Sequence, residues 1–209
     1  MRSNWLPEPR AKQLNFLQHV RSLLKINGRA AIVVPDNVLF EGGAGETIRK
    51  RLLHDCDVHT LLRLPTGIFY ARGVKANVLF FDRKAASEKP WTQALWIYDL
   101  RTNKHFTLKT NTLTRADLDD FVKSYNPANR HQRVETERFH RFRYEEILKR
   151  DKANLDIFWL KDDSLGDSSD LPDPAILAAE IVEDLQAALD QFAQIASDLA
   201  ASERNTRGS

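Results

Sequence analysis

The loop at residues 65–75 carries the side chains best suited to contact a nucleic acid. It follows an apolar, strand-like run, and open α/β sheets place their sites beyond the ends of such strands. The loop contains two adjacent aromatic residues and two cations, namely Phe69, Tyr70, Arg72 and Lys75. Aromatic rings stack on bases, and cations contact phosphates. We therefore predict that these four residues lie near DNA or a target base. The alternative is that the two rings pack beneath the loop.

A Gly-Gly-Ala-Gly segment at 42–45 partly resembles a dinucleotide-binding turn, in which amides at a helix N-terminus hold a pyrophosphate. Three features oppose that function. The glycines follow the preceding strand by about seven residues, Ile48 stands where the closing glycine belongs, and the next strand does not end in an acid. The segment is better interpreted as a loop that caps a helix.

The segment at 126–129, Asn-Pro-Ala-Asn, is comparable with the Asn/Asp-Pro-Pro-aromatic motif that binds a flipped base in amino-methyltransferases. Ala128 replaces the second proline and Asn129 replaces the aromatic residue, and the segment follows a predicted helix. We therefore interpret it as a turn.

The stretch from 123 to 143 contains six Lys or Arg, two Glu and two His residues, interspersed with Tyr125, Phe139 and Phe142. Such a patch fits phosphate contact, and it equally fits a solvated face. The six histidines have no metal-ligand spacing and Cys56 is the single cysteine, so no metal site is predicted. The residue types alone define no complete active site.

Alternating helices and apolar strands predict an α/β sheet with helices on both faces. Helices are predicted at 12–25 and 46–56, and buried strands at 30–35, 58–64, 76–82 and 94–100. No helix separates the last strands, so the third strand is expected to be antiparallel at the sheet edge. This is half of a doubly wound sheet, and it would expose an apolar edge that proteins normally avoid. Either something pairs with that edge or the chain is part of a larger protein.

Changes in amino-acid composition along the chain indicate its segment boundaries. We predict a partial sheet domain at 1–110, a basic helix and loop region at 111–160, an acidic linker at 161–173 and a long helix at 174–203. The long helix would span roughly 40 Å. One of its faces is apolar, with Ile181, Leu185, Leu189, Phe192, Ile195 and Leu199. A half-sheet cannot cover that length, so the face is expected to pack on a partner helix; the alternative is a cap on the same domain.

Charge is distributed unevenly, at +11 over residues 1–150 and −9 over residues 151–209. The basic part could face nucleic acid and the acidic part another protein, or both could be solvated surfaces. No apolar run approaches the ~18 residues that a membrane span needs. One cysteine excludes an internal disulfide. We expect a cytoplasmic protein without membrane contact.

Several ungapped runs, taken in order, resemble the modification subunit of type I restriction systems, a family of adenine-specific DNA methyltransferases. The runs are at 14–19, 28–40, 45–53, 64–69 (Leu-Pro-Thr-Gly-Ile-Phe), 73–81, 98–101 and 154–157. The family's glycine-rich cofactor motif and its Asn-Pro-Pro-Phe catalytic motif lie upstream of the matched region and are absent from these residues. The chain therefore resembles the C-terminal portion alone.

The resemblance implies the later half of a Rossmann-like methyltransferase sheet, followed by a mostly helical region that ends in the long amphipathic helix. The complete enzyme would use S-adenosylmethionine to methylate the amino group of adenine in DNA. It would act with a specificity subunit and a restriction subunit. No cofactor is expected to bind these residues alone, and no catalytic residue is carried over.

Three interpretations remain. The chain is a methyltransferase fragment that is inactive alone; or a non-catalytic module that binds a partner through its C-terminal helix; or a nucleotide-binding enzyme that uses the glycine segment. Self-association through the exposed sheet edge and the helix face is a further expectation.

Overall fold

The structure is a computed structural model that describes residues 12–70, 74–104 and 106–161, together with the single positions 182 and 189. The chain divides into two units, 1–161 and 162–209. The helices of the first unit are α1 (Lys12–Leu23), α2 (Asn37–Phe40), α3 (Ala44–Asp55), α4 (Asp119–Tyr125) and α5 (Tyr144–Lys149). The strands are β1 (Arg29–Pro35), β2 (Cys56–Arg63), β3 (Ala76–Arg83), β4 (Ala94–Asp99) and β5 (Phe139–Arg143).

The five strands form one mixed sheet in the order β1-β3-β2-β4-β5. β3 runs antiparallel to both of its neighbours, β2 and β4 are parallel, and β5 is antiparallel to β4. As a result β1, β2 and β4 all point the same way. Their carboxyl ends meet at one edge of the sheet, together with the start of β3.

Both faces of the sheet are covered, as the helix and strand pattern predicted. The first core packs α1, α3 and α5 on one face, with Leu17, Leu52 and Ile147 among its buried residues. The second core lies on the other face, where Phe121 of α4 packs against Tyr98 and other strand residues. Burial on both faces explains why nearly every position of β2 and most positions of β4 are buried, including polar ones such as Thr60 and Asp99.

The sequence-based topology was wrong in two respects. β3 is antiparallel as predicted, but it lies between β1 and β2 rather than at the edge. Among the described strands β1 itself lies at the edge, and it is not covered on both faces, because Val33 is 54% exposed while Val34 is buried. The α1 residue Phe16, which lines the same surface groove as Val33, is also 54% exposed, so an apolar patch lies beside the side of β1 that pairs with no described strand.

The fifth strand was not predicted, because the polar stretch around it was interpreted as helix and loop. β5 pairs with β4 from Ala94↔Arg143 to Tyr98↔Phe139. The helices α4, which contains Phe121, and α5, which contains Ile147, lie in the stretch predicted as a basic helix and loop region.

The predicted linker and most of the predicted C-terminal helix lie outside the described residues. Val182 and Leu189 are the two positions described there; both are helical, and they are 65% and 61% exposed. Among the described helices none is both long and apolar enough to cross a membrane.

Candidate nucleic-acid-facing edge of the sheet

Charged side chains collect where the parallel strands end. Asp36 follows β1, Arg63 ends β2, and Asp99 ends β4 with Arg101 two residues later. Asn77 lies at the start of the antiparallel β3. The carboxyl edge of the sheet therefore carries two arginines and their acidic partners, next to the residues from which the loop at 65–75 starts and to which it returns, Leu64 and Ala76.

Arg101 joins three strand ends through its guanidinium group. Its Nη1 and Nη2 donate to the two carboxylate oxygens of Asp36 at 2.8 and 2.9 Å. Its Nε donates to the carbonyl of Leu64 at 2.9 Å, and Nη2 also donates to the carbonyl of Ala76 at 3.0 Å. Asn77 completes the group by donating from Nδ2 to Asp36 at 2.7 Å.

This network keeps Asp36 ionised. Burial alone would raise the pKa of Asp36, but hydrogen bonds from Arg101 and Asn77, together with the positive charge of Arg101, hold it below the ordinary carboxyl value. The edge of the sheet therefore contains a fixed ion pair rather than a carboxyl group ready to exchange protons.

Arg63 forms a second, deeper group with the segment after α5. Its side chain is fully buried, and its Nη1 donates to the carbonyl of Ile157 at 2.6 Å. Its Nη2 lies 2.9 Å from Asp156, although the two groups are not aligned for a hydrogen bond. The ring of Phe158 lies 3.9 Å from the guanidinium carbon. Burial lowers the pKa of Arg63 and raises that of Asp156, while each partner's charge opposes the shift.

The loop residues that were predicted to contact DNA differ in how far they are buried. Phe69 is half-buried against the second core, next to Ile68, which favours packing for that ring. Tyr70 is 95% exposed, and Lys75 is also exposed. Arg72 lies outside the described residues. Of the two rings, Tyr70 is thus the one that is free to stack on a ligand.

The first half of the loop is held by a glycine. Gly67 has φ +82°, and a Cβ built there would lie 1.9 Å from the carbonyl oxygen of Phe106. Any other residue at this position would need both a strained backbone and a shift of the neighbouring chain. The loop therefore turns tightly against Phe106 before it reaches Tyr70.

The glycine segment does not fit a nucleotide cofactor. Gly43 precedes α3 with φ +59°, which explains the glycine there. The space inside the segment belongs to Arg49, which is 1% exposed and donates to the carbonyls of Val38 at 3.0 Å and Glu41 at 2.8 Å. The guanidinium of Arg49 also fills the space beside Gly45, where a built Cβ would lie 3.2 Å from its Nη1, which favours the interpretation as a loop that caps a helix.

The basic stretch at 123–143 is in part a packing element. Arg133 is 9% exposed, lies over the ring of Tyr125 and donates to the carbonyls of Tyr125 and His59. Arg130 pairs with Asp82 at 2.6 Å. These two arginines attach the stretch to β2 and β3, so they are not free to bind phosphate.

Phe139 and the segment at 126–129 both have structural roles. Phe139 is fully buried and stacks on Trp96 at 4.9 Å between ring centroids. Asn126 adopts φ 47°, and its carbonyl accepts from the amide of Asn129 at 3.1 Å, so this segment is the turn that was predicted. Within the described ranges, no group of three or more His, Cys, Asp or Glu side chains could hold a metal ion.

Asp36, Arg63 and Arg101 were not among the residues predicted from the sequence to form the site. The available signal was position: each is a charged residue at or just beyond the end of an apolar strand, where open sheets place their sites. Their mutual contacts could not be read from the sequence, because they depend on which strands are neighbours.

Comparison with known proteins agrees with this architecture. The family profile described as N-6 DNA Methylase matches residues 2–158. The EcoKI methylase subunit of Escherichia coli K12 is 40% identical over 224 residues, covering 92% of this chain and 42% of the relative. The StySJI methylase subunit of Salmonella typhimurium LT2 is also 40% identical, over 91% of this chain and 42% of the relative. The chain thus spans about two fifths of the length of these relatives.

Solved structures give the same result. The crystal structure of the EcoKI M protein matches with a TM-score of 0.67 and 39% identity, over 87% of this chain and 43% of that one. A modification subunit of a putative type I restriction enzyme from Vibrio vulnificus YJ016 matches with a TM-score of 0.58 and 29% identity, over 68% of this chain and 30% of that one. The sheet with its covering helices is shared with these proteins, and the chain belongs to the N-6 DNA methylase family.

Proposed function

We propose that this chain supplies the DNA-facing part of a type I modification methyltransferase, and that the complete subunit transfers a methyl group from S-adenosylmethionine to the amino group of adenine in DNA. The observation that carries this proposal is the loop at the carboxyl edge of the sheet. It presents Tyr70 at 95% exposure, with Lys75 exposed beside it. A ring and a cation suit stacking on a base and contact with a phosphate.

The described residues bind and orient DNA in this proposal, and they carry out no chemical step. The glycine segment is occupied by Arg49, so no cofactor is assigned to it. S-adenosylmethionine would instead bind residues of the complete subunit that this chain does not span. We therefore expect the chain alone to be inactive. We also propose that the complete enzyme works in the cytoplasm.

The free side of β1 supports a sheet that continues in the complete subunit. Val33 on β1 and Phe16 on α1 are each 54% exposed there. Apolar side chains beside an unpaired strand edge are avoided in isolated proteins, because such an edge recruits other strands. We propose that further strands of the subunit pair with β1; in this chain alone the same edge would favour self-association.

A second candidate function is binding of a partner subunit through the C-terminal helix. Val182 and Leu189 are helical, are seven residues apart and are both more than half exposed. Positions seven apart lie on the same side of a helix. Together with Ile181, Leu185, Phe192, Ile195 and Leu199 of the predicted apolar face, they would pack on helices of the specificity subunit. A restriction subunit would join the same assembly.

Methyl transfer from labelled S-adenosylmethionine tests the first proposal. The complete subunit, assembled with its specificity subunit, should label adenine in DNA that contains the recognition sequence, whereas this chain alone should not. Labelling of cytosine, or labelling by the isolated chain, would contradict the proposal. For the second candidate, a complete subunit that lacks 174–209 should lose its association with the specificity subunit in size-exclusion chromatography. Unchanged association would reject it.

A further inference from the structure

Arg101 contacts both ends of the loop at 65–75. The carbonyl of Leu64 immediately precedes the loop, and the carbonyl of Ala76 immediately follows it. Arg101 donates to the first from Nε at 2.9 Å and to the second from Nη2 at 3.0 Å. The same guanidinium group is fixed by its paired contacts with Asp36, at 2.8 and 2.9 Å. The amide of Leu64 also donates to the carbonyl of Ala76 at 3.0 Å, so one largely buried side chain braces the junction from which both arms of the loop start.

The geometry requires an arginine. Its guanidinium carries five N–H donors in a rigid plane, and here Nε, Nη1 and Nη2 are all used at once. A lysine in the same place offers a single nitrogen, which could pair with Asp36 but could not also hold Leu64 and Ala76. The carboxylate keeps its charge, since its hydrogen bonds and the positive charge of Arg101 overcome the effect of burial on its pKa.

The two arms of the loop depend on Arg101 to different degrees. The outgoing arm has further anchors, because Gly67 turns tightly against Phe106 and Ile68 packs on the second core. The returning arm ends at Lys75, which is exposed and whose carbonyl accepts the amide of Asp36 at 3.1 Å. Lys75 is therefore linked to Arg101 twice, through the neighbouring carbonyl of Ala76 and through Asp36, whose carboxylate accepts from the guanidinium.

We propose that Arg101 is a positioning residue for methylation: it holds the ends of the loop so that Tyr70 and Lys75 meet the DNA in a fixed arrangement. This inference rests on the proposed function of the loop. Arg101 does not touch the substrate itself. Displacement of an orienting group by about 1 Å can cost about 100-fold in rate, so loosening the loop should lower kcat strongly.

The test has one readout that does not depend on function and one that does. In this chain, Arg101→Lys should speed hydrogen exchange at the amide of Leu64, which donates to the carbonyl of Ala76, by about tenfold or more. The matched control is Arg49→Lys, which disturbs a still more deeply buried arginine away from the loop and should leave that amide unchanged. Lysine retains the charge and most of the volume, so Arg101→Lys keeps a foldable protein even where Arg101→Ala fails to fold.

In the complete subunit with its specificity subunit, Arg101→Lys should lower kcat for adenine methylation by about 100-fold while KM for DNA changes little. Arg49→Lys should keep the wild-type kcat per folded enzyme. A wild-type kcat in Arg101→Lys, or unchanged exchange at Leu64, would overturn the positioning role. An absence of adenine methylation by the wild-type complex would instead reject the proposed function, and the exchange result would still decide whether Arg101 holds the loop.

Discussion

Replacement of Tyr70 by alanine separates a DNA-contacting role from a structural one. The ring is 95% exposed, so its removal should change the free energy of unfolding by no more than about 0.5 kcal/mol. Stacking of an aromatic ring on a base contributes about 1–3 kcal/mol, which corresponds to a loss of roughly 5- to 160-fold in kcat/KM for methylation. Phe69 is less suitable for this test, because its half-buried ring packs on the second core and its removal would also destabilise the fold.

The assay is methylation of duplex DNA by the complete subunit with its specificity subunit. A duplex with 2-aminopurine at the target adenine reports separately on whether the base leaves the stack. Val134→Ala is the control, since Val134 is 74% exposed and lies in a groove at the opposite, amino end of the parallel strands. Wild-type kcat/KM and a wild-type 2-aminopurine signal in Tyr70→Ala would refute the assignment of this ring to DNA.

Three further predictions concern stability. Burial lowers the pKa of His59 from 6.5 to about 3. The contribution of the neutral ring to the free energy of unfolding is therefore complete above pH 6.5 and is lost as the pH falls toward 3, by up to about 1.4 kcal/mol per pH unit. Urea titrations should show a shallower pH dependence of stability in His59→Gln, and an unchanged pH dependence would contradict this. Arg49→Met should cost about 1–3 kcal/mol for each buried carbonyl that loses its donor, which is a drop in Tm of about 2–12 °C for each. A total loss below about 1 kcal/mol would show that the chain relaxes around the substitution. Val33→Glu should barely change Tm of this chain yet lower Tm of the complete subunit, where we propose that β1 is paired; equal small shifts would argue against continuation of the sheet.

Strands and helices that are covered by other parts of this chain were predictable from the sequence. β2 carries the apolar residues Val58, Leu61 and Leu62 and is covered on both faces. The helices α1 and α3 were predicted from the helical spacing of their apolar residues. β1 has the same apolar character but lies at the edge. An apolar run indicates that a strand needs to be covered, but it does not say whether the cover lies within the chain at hand.

Features that depend on strand order were not predictable. The place of β3 between β1 and β2 follows from pairing between residues far apart in the chain. β5 was missed because its polar residues dominate its sequence, although Phe139 is fully buried. For the candidate site, the loop was identified from residue types alone, whereas Arg101 became visible only when Asp36, Leu64 and Ala76 were brought together around it.

Cross-linking at position 70 tests the central claim, that the carboxyl edge of the sheet faces the target base in the complete methyltransferase. p-Benzoylphenylalanine would replace Tyr70 in the complete subunit, which would be assembled with its specificity subunit and irradiated on DNA containing the recognition sequence. The account predicts cross-links within a few nucleotides of the methylated adenine, and far fewer from the same probe at Val134. No cross-link at position 70, or equal yields from both positions, would contradict it.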